Sequence, residues 1–158
     1  DLNFHAGQMR LYSTEAVGGD VIVANTAVTS DGAWNHFALV RESDDFFIYI
    51  NGDLDASATS TLAADLVIEG IASNVRQQKA FGGSLDELRI WDDARSAAEI
   101  AGNYMQAVDP AAQDLLRYYQ FNDMEDVIDS TGNAEALGDL AYAAIAGADW
   151  VDTDVFIF

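Results

Sequence analysis

Asn51-Gly52 constrains this fold more than any other pair in the chain. Both residues tolerate positive φ, which a two-residue I′ hairpin turn demands at both central positions. FFIYIN (46–51) leads into the turn and 53–58 leads out of it. WNHFALVRE (34–42) precedes them across the polar turn Ser43-Asp44-Asp45. The three runs 34–42, 46–51 and 53–58 are therefore expected to form an antiparallel meander.

The rest of the chain reads mostly as strands. LNFHAGQMRLYS (2–13) and GDVIVANTAV (19–28) are expected strands split by Gly18-Gly19. LVIEGIA (66–72), SLDELRIW (84–91), DLLRYYQFND (114–123), the start of MEDVIDSTGN (124–133) and WVDTDVFIF (150–158) add more. The Ala-rich stretch 134–148 carries no readable pattern. One helix interrupts the strands. Ser96 with Glu99 three residues on makes a capping box, and Ala97, Ile100 and Tyr104 then share one face. The helix is expected to end before Asp109-Pro110. Short strands at this spacing imply an all-β fold: an antiparallel two-sheet β-sandwich jelly roll with one short helix near 96–105.

Composition narrows the function. The chain has 158 residues, enough for one domain with a sizeable core. It has no cysteine, so disulfides and thiol chemistry are excluded. Lys plus Arg is 7 and Asp plus Glu is 27, a net charge of −20. Nucleic acid and anionic lipid are poor partners for such a surface. Divalent cations and neutral ligands suit it better, and solubility in a salty medium is the plainest account. No apolar run approaches the roughly 20 residues that span a membrane. The sequence opens at Asp1 with no signal-peptide pattern, so a processed product or an excised module is expected.

Three motifs in order carry a family resemblance. The first is Trp34-x-His36-Phe37-Ala38-Leu39-Val40, the second IYINGDLDAS (48–57). The third is Phe81-x-Gly83-x-Leu85-Asp86-Glu87-Leu88-Arg89-Ile90-Trp91, followed by ARSAAEI. Together they resemble laminin-G-like, concanavalin-type jelly rolls, over about residues 30–105. The pieces that usually open such a domain look like LLRYYQFND (115–123) and DSTGN (129–133), and here they follow the helix. The expectation is a single domain over 1–158 lacking its usual N-terminal strands, with 115–158 completing or extending the sandwich. The start of a tandem module, and a truncated product completed by a neighbouring chain, are the competing explanations. Trp150 to Asp154 resembles the close of such a module.

The resemblance brings glycoside hydrolases into view, but the E-x-D-x-x-E strand of those enzymes is absent. Retaining hydrolysis needs two carboxyls about 5–5.5 Å apart. Asp86 and Glu87 are adjacent, so strand alternation would aim them at opposite faces, and Glu125 and Asp126 meet the same objection. The two histidines, His5 and His36, give neither a serine triad nor a zinc site its ligands. What the resemblance does imply is a structural calcium, with Asp86 as a ligand and Asp129 and Asn133 as further oxygen donors. The competing account has Asp86 accepting backbone hydrogen bonds and Asp129 making an Asx turn. Exposed aromatics would stack on sugars, and Phe46 beside Asp44 and Asp45 is the most loop-like aromatic site, hence the expected ligand contact.

The function expected on these grounds is a non-catalytic extracellular binding or adhesion module, for a glycan or a protein, in a larger secreted or cell-surface protein of bacterial type. A structural subunit of an extracellular assembly, self-associating by strand pairing, is the alternative. A glycoside hydrolase-like enzyme comes third.

Overall fold

A computed structural model of the chain describes residues 2–28, 32–62, 83–122 and 129–132. These fall into two compact units. One contains residues 2–28, 32–62 and 94–104, the other 83–93, 105–122 and 129–132.

The first unit is built from two three-stranded antiparallel sheets and a helix. Strands β1 (Leu2–His5), β2 (Gln8–Tyr12) and β3 (Asp20–Val23) form one sheet in that order. Residues 2–13 are thus two strands rather than the one expected. Ala6 and Gly7 sit at φ 51° and 82°, and His5 pairs with Gln8, so the chain folds back through a two-residue turn. Ala-Gly is a weak turn signal, because alanine seldom adopts positive φ. Met9 and Leu11 point into the core from β2, with Val21 and Ile22 from β3.

Strands β4 (Phe37–Glu42), β5 (Asp45–Ile50) and β6 (Asp53–Thr59) form the meander that Asn51-Gly52 predicts. Asn51 and Gly52 have φ 52° and 87°, and Ser43 has φ 58° at the other turn. Alternation along β5 sorts its side chains. Phe46 and Ile48 are fully buried on one face, where cross-strand neighbours of Ile48 and Phe46 include Leu39 and Arg41. Phe47 and Tyr49 lie on the other face with Ala38 and Val40, gathered around Ile100 of the helix. Burying a side chain such as Phe46 or Ile48 contributes about 1.5–3 kcal/mol. Phe4 of β1 meets Phe37 of β4 edge-on at 5.0 Å, and β3 lies against β5 and β6. The two sheets of this unit therefore share one core.

Helix α1 (Ala97–Asn103) forms where the capping box places it. Ser96 Oγ accepts from the Glu99 backbone N–H at 3.3 Å, and Glu99 Oε2 accepts from the Ser96 N–H at 2.8 Å. The Ser96 hydroxyl also donates to Glu99 Oε2 at 2.7 Å, and this bond, followed by the Ser96 N–H and the Arg95 charge, lowers the Glu99 pKa. Tyr104, at the C-cap, packs over Gly52, where an added Cβ would lie 2.8 Å from Tyr104 Cδ1.

In the second unit, β7 (Leu88–Trp91) pairs antiparallel with β8 (Leu115–Tyr119), and Tyr119 bridges to Asp129. The strand expected over 84–91 begins only at Leu88, because Glu87 adopts φ 55° and breaks the extended run. Among the described residues the fold is all-β with antiparallel pairing and one short helix, consistent with a jelly-roll sandwich. The strands expected at 66–72, 124–128 and 150–158 lie outside the described residues.

Candidate functional site

The acids of the third motif behave differently from the alternation argument. Asp86 and Glu87 are 4% and 5% exposed, so neither faces solvent. The cause is Glu87's positive φ, which cancels the period-two rule at this point. Asp86 Oδ1 accepts from the Glu87 N–H at 3.0 Å. The Glu87 carboxylate takes the Arg89 guanidinium at 2.7 Å and the hydroxyl of Tyr118 across the β7–β8 pair. Arg89 also donates to the Gln106 carbonyl at 2.5 Å and stacks 5.5 Å from the Tyr118 ring. Burial raises the Tyr118 pKa, and the Glu87 hydrogen bond and charge raise it further.

Asp129 is equally committed. Its Oδ1 accepts from Tyr118 N–H at 3.0 Å, Thr131 N–H at 3.0 Å and Thr131 Oγ1 at 2.8 Å. Its Oδ2 lies 3.3 Å from Arg117 Nε, an ion pair whose alignment falls short of a hydrogen bond. The bond to Thr131 N–H is the Asx turn. Asn133 lies outside the described residues. Among the described residues no three His, Asp or Glu side chains come together as metal ligands. A guanidinium already neutralises Asp129, and a cation placed there would be repelled by it. The described partners of Asp129 and Glu87 are thus arginine, tyrosine and threonine.

The expected ligand contact also changes. Phe46 is fully buried, with the Arg41 guanidinium 5.4 Å from its ring, so it cannot present a face to a ligand. Period two puts it with Ile48, inside. Asp44 and Asp45 are exposed at the turn, where Asp45 Oδ1 accepts from Thr59 Oγ1 at 2.6 Å and the Asp44 carbonyl accepts from Ser60 N–H at 2.8 Å.

A cleft of about 170 Å³ lies at the opposite end of β5, by Asn51. Its lining comes from three segments: Thr26 to Val28 after β3, Ala33 and Asn35 before β4, and Ile50 with Asn51 at the hairpin. Each wall is pinned. Asp55 on β6 accepts from the Asn25 N–H at 2.6 Å and the Thr26 N–H at 3.2 Å. Gln8 Nε2 donates to the Ala24 carbonyl at 2.7 Å, and Val28 N–H donates to Gly7 at 2.8 Å. Across the cleft, Asn51 Oδ1 accepts from His36 N–H at 2.9 Å, and Asn51 Nδ2 donates to Asn35 Oδ1 at 3.0 Å. Asn35 Nδ2 reaches the Ala33 carbonyl at 3.3 Å. Each amide has two N–H donors and spends one in these bonds, leaving one of each for a ligand hydroxyl. Thr26 adds a hydroxyl beside small apolar contacts from Ala27, Val28 and Ile50.

Sequence reasoning missed these residues. Asn51 registered only as a turn former, and Asn35 was hidden between Trp34 and His36. The usable signal was a second asparagine placed where the meander's geometry brings it beside the hairpin turn.

Comparison with known proteins adds the family. No curated protein matches the chain. A solved structure from Bacteroides ovatus, whose carbohydrate-binding name is itself an inference, superposes with a TM-score of 0.63 at 22% identity, over 80% of this chain. The chain spans 38% of that protein's length, and the likeness concerns fold alone. An S-layer domain-containing protein from Clostridium thermocellum gives 24% identity over 61% of this chain and 51% of the other, but its TM-score of 0.38 carries no argument. The model of the laminin-G-like family described as the concanavalin A-like lectin/glucanases superfamily matches residues 2–101, and the chain belongs to that family.

Proposed function

We propose that the chain is a non-catalytic binding module of a larger secreted or cell-surface protein, and that its ligand is a glycan. The cleft at the Asn51-Gly52 end carries this reading. Amides from Asn35 and Asn51 and the Thr26 hydroxyl offer neutral donors and acceptors beside small apolar surface, the kit that recognises sugar hydroxyls and ring carbons. Family membership supports it, since that superfamily groups lectins with glucanases. The B. ovatus protein's name points the same way. Glycoside hydrolysis needs a pair of carboxyls facing the bond, and the described lining of the cleft supplies amides instead. The net charge of −20 suits a salty extracellular medium. Among the described residues no helix is long and apolar enough to cross a membrane.

A glycan array followed by calorimetry on the hits tests this reading. Asn35→Ala and Thr26→Val are expected to weaken each hit on the order of tenfold, the loss of about one neutral hydrogen bond each. An array without a single hit sinks the glycan reading.

A further inference from the structure

The chemistry of the cleft also says which sugars it excludes. None of the described residues that line it is charged, although 34 of the 158 residues are Asp, Glu, Lys or Arg, counting 27 acids and 7 bases. An anionic ligand therefore needs a cation from nearby, and the described arginines are spoken for. Arg10 pairs with Asp20 at 2.9 Å, Arg95 with Glu99 at 2.7 Å, Arg89 with Glu87 and Arg117 with Asp129. Arg41 donates to the carbonyls of Ser43 and Leu62, beyond the other end of β5. A charge built into the described cleft wall has the wrong sign. It is the Asp55 carboxylate, bonded to the backbone N–H of Thr26.

We infer that the cleft takes a single uncharged, hydroxyl-bearing sugar residue and rejects the matching uronic acid. This rests on the glycan reading above. The size fits one residue, because drug-sized ligands fill pockets of roughly 300–1,000 Å³ and this cleft holds about 170 Å³. The rejection has two sources. A carboxylate entering the cleft gives up hydration without gaining a counter-ion. It also meets the field of a chain with net charge −20. The first source is independent of salt, and the second is screened by it.

The test uses the whole chain and matched pairs of free sugars: glucose with glucuronate, galactose with galacturonate, and N-acetylglucosamine alone. Affinities are read by ligand-observed NMR and calorimetry at about 0.01 M and about 1 M salt, where the Debye length falls from roughly 30 Å to 3 Å. At least one neutral sugar is expected to bind with an affinity that salt leaves within about twofold. Its uronate is expected to bind at least on the order of tenfold more weakly at low salt, with a gap that narrows but stays open at high salt. A uronate that binds as well as its neutral partner overturns the inference while the glycan reading stands. If no sugar or uronate binds, the single-residue inference falls; the glycan reading falls with it only if the array is also without a hit.

Discussion

Truncating Glu87 isolates the strongest polar commitment in the second unit. The Glu87 and Arg89 side chains are each 6% exposed and 2.7 Å apart, and the Tyr118 hydroxyl that donates to Glu87 belongs to a fully buried residue. Glu87→Ala strands a buried guanidinium, a loss of about 3–5 kcal/mol for breaking one side of such a pair. Arg89 keeps the Gln106 carbonyl and the Tyr118 ring, and the Tyr118 hydroxyl keeps Gln120 Nε2 at 3.4 Å. Those remaining contacts place the expected cost at the lower end, about 3 kcal/mol. Backbone conformation adds a second, sharper expectation. Glu87 sits at φ 55°, where any Cβ costs about 1–2 kcal/mol, so Glu87→Gly recovers that strain while Glu87→Ala does not. Glycine should therefore be the milder substitution by about 1 kcal/mol, despite its greater freedom in the unfolded chain. The double variant Glu87→Gln with Arg89→Met removes both charges together and should cost less than Glu87→Ala. Urea unfolding followed by tryptophan fluorescence, with Trp91 at the end of β7, reads all three. A cost for Glu87→Ala below about 0.5 kcal/mol, typical of open surface positions, would refute the buried pair. Glycine proving worse than alanine would refute the backbone argument.

Other predictions follow from single features. Phe46→Ala should cost about 3–5 kcal/mol in urea unfolding, as a fully buried aromatic does, and leave glycan affinity of the folded fraction unchanged. Burial raises the pKa of both Tyr118 and Tyr119 above the ordinary 10.0. A raised pKa in the folded state contributes stability that is complete below about pH 10 and is lost as pH rises beyond it, so melting temperature should fall on that alkaline limb. Tyr118→Phe and Tyr119→Phe together should flatten it; an unaltered limb would contradict the assignment. Because Asp129 is held by Arg117, melting temperature should be the same in EGTA and in millimolar calcium. A rise with calcium would show a site that the described residues do not build.

Local chemistry made much of the fold legible. Asn51-Gly52 and the Ser96–Glu99 box each fix structure through bonds within a few residues, and both appear where the sequence puts them. The resemblance carried by Trp34, His36 and the Asn-Gly hairpin named the right family. Departures arise where backbone conformation overrides pattern. Ala6 turns a strand into a hairpin at φ 51°, and Glu87 at φ 55° turns two opposed acids into two buried ones. The ion pair of Asp129 with Arg117 comes from the long-range bridge of Asp129 to Tyr119, which no local signal encodes, whereas Glu87 and Arg89 stand only two residues apart. Phe46 was readable in principle. Its two-residue spacing to Ile48 marks a buried face, whereas its neighbours Asp44 and Asp45 suggested a loop. The cleft needed the longest-range information, since its walls come from segments before β4, after β3 and at the β5–β6 turn.

Amide NMR of the chain titrated with a neutral oligosaccharide hit tests the central claim most directly. The account predicts shifts concentrated at Thr26 to Val28 and at the side-chain amides of Asn35 and Asn51, with the Ser43–Asp45 turn unmoved. Shifts centred on Asp44 and Asp45, with Asn35 and Asn51 silent, would contradict it and move the binding site to the other end of the strands.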